Sequence, residues 1–210
     1  FHPEAFERSF GQGPESMPPL VYGLQDGFSL EITGQIDRID LDETGKYFLI
    51  MDYKTGNAYI NLLEVYYGLR MQLLTYLLVT KNLLEHTEGK PVLPAGLLYY
   101  FLRNPLLTSA SKISAGEAQK EIAKQLRMPG WVLADPEVIR AIDSSLSFIK
   151  VALKQNGEIY AKSRGSVKTE EEFGILLDYI SYVLADTGQT ILEGEIAAAP
   201  YQLKENTACR

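Results

Sequence analysis

Cysteine, histidine and tryptophan are nearly missing from this 210-residue sequence, which has one Cys, two His and one Trp. The lone Cys209 makes no internal disulfide, and by itself it ligates neither zinc nor an iron–sulfur cluster. No apolar run comes near the roughly 18 residues that read as a membrane span, and the N-terminus lacks the basic-then-apolar layout of a signal peptide. A membrane role is excluded on that basis and a cytoplasmic location is expected. Positive charge is also short: 20 Lys and Arg stand against 27 Asp and Glu, a net charge of −7. That balance argues against gripping nucleic acid by bulk electrostatics, which normally takes a basic stripe. What is present is a 46% hydrophobic composition, at a length that buries roughly 70% of the unfolded surface. One soluble domain with a substantial core is expected. The sequence starts at Phe1 and stops after Cys209-Arg210, and it reads as a piece of something longer.

Residues 1–27, rich in Pro and Gly (Pro3, Pro14, Pro18, Pro19, Gly11, Gly13), read as a lead-in with little regular structure, ahead of a single domain over 28–210. From Phe28 to Ile36 apolar residues fall on even positions, the pattern of a half-buried strand; Ile39 and Leu41 then fall on odd ones, which a bulge or bend near Asp37–Arg38 would explain. Asp42-Glu43-Thr44-Gly45 is a turn cluster, and Tyr47–Met51 is continuously apolar, as in a strand buried on both faces. Residues 28–54 therefore read as an antiparallel hairpin. Leu62, Val65, Leu69, Leu73, Tyr76 and Leu77 have helical spacing within one long helix over 61–86, and Ala95–Leu102 reads as a core strand. Ser114-x-x-Glu117 and Thr169-x-x-Glu172 have capping-box spacing, and Asp135-Pro136 is an N-cap followed by proline. The Thr169 helix is expected to reach about Asp186 and stop at Gly188, with a last strand over 191–196. Asn156-Gly157 predicts a type I′ hairpin turn between 148–153 and 159–161.

The 28–54 hairpin places two carboxylates. Paired residues in an antiparallel hairpin share a constant index sum, about 89 for a turn centred on Thr44–Gly45, and Asp37 and Asp52 satisfy it. Asp52 and Lys54 share one face of the strand and Tyr53 points to the other. Carboxylates this close repel unless one is protonated or a cation neutralises them, and an all-oxygen donor set suits magnesium better than zinc. On these residues alone, an ordinary solvated Asp–Lys salt bridge accounts for the pattern equally well. Gly68, Gln72 and Tyr76, four apart, line one helical stripe, which reads either as a polar functional face or as a glycine contact beside a core tyrosine.

In this order and spacing, Gly34-Gln35-Ile36-Asp37, Ile50-Met51-Asp52-Tyr53-Lys54-Thr55 and Gln72-Leu73-Leu74-Thr75-Tyr76 resemble the G-x-x-D, D-Y-K and Q-x-x-x-Y series of RecB-type nucleases, within the PD-(D/E)XK superfamily. The surrounding residues, including Asp37-Arg38-Ile39-Asp40, Glu64-Val65-Tyr66-Tyr67-Gly68-Leu69 and Ala208-Cys209-Arg210, are similar to the C-terminal nuclease domain of the AddB (RexB) family. The resemblance implies an α/β, restriction-endonuclease-like fold with a mixed central sheet flanked by helices. It implies a magnesium-dependent DNA exonuclease, with manganese as an alternative ion, that works in bacterial end resection for double-strand-break repair by homologous recombination. The implied partners are DNA and an AddA/RexA-type helicase–nuclease subunit. ATP hydrolysis is expected elsewhere, since no G-x-x-x-x-G-K-[ST] occurs here. Carried over by position, Asp37, Asp52 and the backbone carbonyl of Tyr53 would hold the metal, Lys54 would be the catalytic lysine, and Gln72 and Tyr76 would either support those residues from behind or position DNA. Asp40 is taken as a surface acid.

Two departures from the family pattern stand out. A further metal-site His or Glu usually precedes the G-x-x-D strand, and His2 does not match it. Cys209 resembles the first of three C-terminal ligands of a [4Fe-4S] cluster, which is expected to be absent from this stretch because the sequence ends one residue later. A domain fed by a DNA-gripping motor needs little basic surface of its own, which removes the objection from net charge. A different class of function, a vestigial nuclease fold used for DNA binding or subunit docking, is opposed by the intact Asp37, Asp52 and Lys54 set. A glycosidase reading leaves Lys54 without a task.

Overall fold

The apolar run Phe48–Met51 is fully buried because it runs through the middle of a sheet covered on both faces. The computed structural model describes residues 1–14, 16–108, 112–197, 202–203 and 206–207. Its elements are β1 (His2–Phe10), β2 (Leu20–Gly23), β3 (Ser29–Ile32), β4 (Gly34–Leu41), β5 (Tyr47–Lys54), α1 (Leu62–Tyr66), α2 (Gln72–Glu88), β6 (Leu93–Phe101), α3 (Ala115–Gln125), β7 (Gly130–Leu133), α4 (Pro136–Ile142), β8 (Val167–Lys168), α5 (Glu170–Leu192), β9 (Gln202–Leu203) and β10 (Asn206–Thr207). The main sheet has the order β1-β4-β5-β6-β7-β8, with β5–β6 and β7–β8 parallel and the other pairs antiparallel. Helix α2 packs on β5 and β6 and against α5, which closes the core on that face. This is the mixed sheet flanked by helices that the family resemblance implies.

The hairpin register is the expected one: Arg38↔Met51, Ile39↔Ile50, Asp40↔Leu49 and Leu41↔Phe48 all share the index sum 89. Both capping boxes form, at Ser114–Glu117 and Thr169–Glu172, and Asp135 caps α4 through the N–H groups of Glu137 and Val138.

Other expectations are corrected. The lead-in is not irregular: β1 is an edge strand of the main sheet, paired along β4, and Phe10 is in the core. The predicted strand from Phe28 divides at Thr33 into β3, which pairs with β2, and β4. The irregularity expected near Asp37–Arg38 lies on β1 instead. There the pairing slips between Pro3 and Ala5, and Glu7, opposite Asp37, adopts φ 47°. The parity change along β4 arises because both its faces are covered, burying Ile36 and Ile39 alike.

The 61–86 helix is broken into α1 and α2. Gly68, at φ 74°, ends α1 in the left-handed conformation that glycine adopts without a Cβ penalty, and Leu69 N–H returns to the Glu64 carbonyl. Gly188 does not stop α5; it is buried within it, where a Cβ would come within 2.8 Å of Leu30 Cδ2. Ile191 and Leu192 finish that helix, and residues 193–197 form no strand. Asn156-Gly157 makes a turn closed by Gly157 N–H to the Lys154 carbonyl, with a single bridge from Leu153 to Ile159. Gly157 has positive φ and Asn156 does not, so the turn is not type I′. Asp40 is buried rather than on the surface, gripped bidentately by Arg38 at 2.6 and 2.8 Å. Cys209 lies outside the described residues.

Candidate active site

Strand β5 pairs with β4 only as far as Met51 but continues beside β6 to Lys54↔Phe101, so the sheet forks where the acids sit. The Leu102 N–H donates to the Lys54 carbonyl on the β6 side. By strand alternation, the N–H and C=O of Tyr53 turn the other way, into the fork. Asp37, from β4, fills that gap: its Oδ2 accepts from Tyr53 N–H at 2.7 Å. The Tyr53 carbonyl faces the same gap.

Asp52 lies across from Asp37 and is 2% exposed. Burial raises its pKa above the ordinary carboxylate value; the adjoining Lys54 ammonium pulls it down, and the charge of Asp37 adds to the rise. Asp52 Oδ2 sits 2.5 Å from Lys54 Nζ, yet it has no well-directed hydrogen bond. A buried carboxylate oxygen held mainly by charge is a poor way to stabilise a fold and a suitable way to present a ligand atom.

Lys54 is fixed from three sides. Besides Asp52, its Nζ donates to Gln72 Oε1 at 3.3 Å and lies 5.7 Å from the centre of the Tyr99 ring. The Gln72 amide has a defined orientation because its Nε2 donates to the Tyr76 hydroxyl at 2.9 Å, which leaves Oε1 for the lysine. Tyr76 in turn packs edge-on against Phe10 of β1. Phe10 occupies the space where a Cβ on Gly34 would stand, 2.9 Å from its Cζ. The glycine of G-x-x-D thus admits Phe10, Phe10 backs Tyr76, and Tyr76 sets the amide that meets Lys54.

Asp37, Asp52, Lys54, Gln72 and Tyr76 are therefore brought together, while Gly68 is not on their helix. Sequence reading missed Phe10, whose segment looked irregular, and Tyr99. Tyr99 is the register partner of Asp52, and its hydroxyl pKa is raised by burial and then by the Asp52 charge. The available signal was a phenol inside the apolar run Ala95–Leu102. No group of three or more His, Cys, Asp or Glu able to hold a metal occurs among the described residues.

The model for the PD-(D/E)XK nuclease superfamily matches residues 1–210. The chain belongs to that superfamily. As a PD-(D/E)XK nuclease domain, it is 39% identical over 219 residues to the B-type subunit of the ATP-dependent helicase/deoxyribonuclease from Bacillus cereus (strain G9842). It is 40% identical over 216 residues to the protein of the same name from Desulforamulus reducens (strain ATCC BAA-1160 / DSM 100696 / MI-1). Each alignment covers the whole chain and 18% of the relative, so this nuclease domain spans under a fifth of those proteins. No helix among the described residues is long and apolar enough to cross a membrane.

Proposed function

We propose that this chain is the magnesium-dependent DNA exonuclease domain of an AddB/RexB-type protein. It would work with an AddA/RexA-type helicase partner in the bacterial cytoplasm, in end resection for double-strand-break repair by homologous recombination. The observation that carries the reading is the buried Asp52 oxygen without a well-directed hydrogen bond, beside a second carboxylate and under a lysine. This donor set fits a magnesium or manganese ion: two carboxylates and one carbonyl suffice, because such an ion keeps several waters and takes further oxygens from substrate phosphate. Asp37, Asp52 and the Tyr53 carbonyl would hold it. When bound, a divalent cation polarises a phosphoryl oxygen and acidifies water.

The chain's own groups do the rest. The Lys54 ammonium, held by Gln72 and the Tyr99 ring, is placed to orient the attacking water or to offset charge gathering on the phosphate in the transition state. Gln72 and Tyr76 keep that ammonium in place before substrate arrives. In the longer protein, Cys209 is proposed as one ligand of a [4Fe-4S] cluster, and nothing in the chemistry above uses it.

The test is cleavage of end-labelled DNA by the two-subunit complex, carrying Asp52→Ala or Lys54→Ala in this chain. Both variants are expected to lose the cleavage due to this domain and to keep DNA binding; wild-type rates in either would defeat the proposal. Calorimetric titration of the complex with magnesium separates this from a vestigial docking role, for which no metal uptake dependent on Asp37 and Asp52 is expected.

A further inference from the structure

A second cluster of charge, of opposite sign, lies at the same end of the sheet as the acids. Strand β7 runs antiparallel to β6 and starts there, with Leu98↔Gly130 and Tyr99 N–H donating to the Pro129 carbonyl. Just before β7, Met128 bridges in parallel to Ile149, and Met128 N–H donates to the Phe148 carbonyl, which adds the 148–152 segment on the side of β7 away from β6. That segment is three strand spacings from β5, roughly 14 Å at about 4.8 Å each.

Between these stretches and the 3₁₀ turn Ala161–Ser166 is a cleft of about 240 Å³, lined by Arg127, Lys150, Val151, Ala152, Lys162 and Ser163. Three of the six are cationic and none is acidic, in a chain whose net charge is −7. Lys150 and Lys162 have no carboxylate partner among the described residues; Lys162 only overlies the Tyr160 ring at 5.5 Å. Arg127 uses its Nε on the Ser147 carbonyl at 3.1 Å, which leaves its terminal nitrogens to donate elsewhere. Ser163 is 2% exposed, and its Oγ accepts from Ala152 N–H at 2.9 Å, so its own proton remains to be given.

A further cation lies just past the end of β6, the strand between β5 and β7. Arg103 follows Tyr99 and Phe101 along the line of alternate residues that faces Asp52 and Lys54, and it stacks 4.3 Å over the Phe101 ring. It donates to Asn57 Oδ1, in the loop that leaves Lys54, while its Nε is buried without a partner.

We propose that Arg127, Lys150, Lys162 and Ser163 form a phosphate subsite that holds the backbone of one DNA strand a few nucleotides from the scissile linkage, with Arg103 on the path between. Cations and a hydroxyl donor without an acid are the chemistry of a phosphodiester oxyanion, and interactions of this kind fix register rather than sequence. The subsite rests on the nuclease reading above and supplies what the net charge denies: local attraction for DNA in a chain of net charge −7.

The experiment uses the two-subunit complex and counts only cleavage that Asp52→Ala removes. Single-turnover cutting of a single-stranded oligonucleotide is measured for wild type, Lys150→Gln/Lys162→Gln and Lys150→Arg/Lys162→Arg, on all-phosphate DNA and on a series with one neutral methylphosphonate moved along the strand. Both lysines are exposed, so the variants leave the core untouched. The Gln pair is expected to cut about tenfold more slowly at subsaturating DNA, with a salt dependence shallower by about 0.7 in log–log slope for each phosphate no longer neutralised. The Arg pair should cut as wild type does. In the wild type, one methylphosphonate position near the cut should slow cleavage, and the Gln pair should be indifferent to it. Wild-type cutting by the Gln pair, or the same methylphosphonate profile in both proteins, overturns the subsite. Inhibition of wild type by inorganic phosphate with a flat methylphosphonate profile also overturns it, marking the cleft as a site for free anions. If Asp52→Ala removes no cleavage at all, the nuclease reading fails first.

Discussion

Two aspartates stand at opposite ends of the β4–β5 hairpin and have opposite surroundings. Asp42, at the turn, accepts from Tyr47 N–H at 2.7 Å and from the Thr44 hydroxyl and N–H at 2.5 and 3.2 Å. Its burial would raise its pKa, but these bonds outweigh that and leave the carboxyl below its ordinary value. Asp52, at the fork, has its pKa raised by burial and has one oxygen that no well-directed hydrogen bond reaches. One carboxylate is satisfied by backbone and hydroxyl donors and stabilises the fold; the other relies on the Lys54 ammonium. The difference separates an acid that builds structure from one that, on the function proposed above, receives a ligand.

The sharpest way to break the contrast is to neutralise each acid in turn. Asp52→Asn is expected to lower cleavage at least about 100-fold, the scale of losing one preorganised electrostatic group, while the unfolding midpoint of the metal-free protein does not fall. A large loss of stability would make Asp52 a structural acid like Asp42. Tyr76→Phe removes the acceptor that orients Gln72, so single-turnover cleavage should drop by roughly tenfold with DNA affinity unchanged, and Gln72→Ala in the same background should cost little more. Asp42→Ala should reverse the pattern: unfolding by urea easier by about 2 kcal/mol, as for several lost bonds to a charged acceptor, with cleavage per folded molecule intact.

The pH dependence of Asp42 has a definite sign. A carboxyl depressed by folding contributes stability that is fully present above its unfolded pKa of about 3.9 and disappears as pH falls through the lower folded value. The stability gap between wild type and Asp42→Asn should therefore be flat near neutrality and close below roughly pH 4, as urea melts across that range would show. The smallest effect expected is from Gly68→Ala, which places a Cβ on a left-handed residue at a cost of about 1 kcal/mol and leaves the two aspartates where they are.

The hairpin register, both capping boxes and the meeting of Asp37, Asp52 and Lys54 were legible because each depends on spacing within a few residues or on one turn. What escaped depends on distant partners. The residues of β1 alternate poorly because an edge strand is mostly exposed, and its partner β4 lies beyond the β2–β3 hairpin. Gly68 and Gly188 look alike in sequence, yet one ends a helix through its φ and the other lies inside a helix because Leu30 presses against it. Tyr99 reaches the site through parallel pairing across a crossover, which no local pattern reveals.

The mixed pairing of β5 also bears on the order of folding. It meets β4 through the short turn at 42–46 but reaches β6 only after the crossover of residues 55–92. Local pairing closes sooner than non-local pairing, so a chain emerging during synthesis brings Asp37 and Asp52 together before Tyr99, Gln72 and the clamp on Lys54 exist. Pulse-labelled hydrogen exchange during refolding should protect β4–β5 amides before those of β6. A half-folded molecule would already hold the two carboxylates side by side while the groups that fix the lysine are still missing.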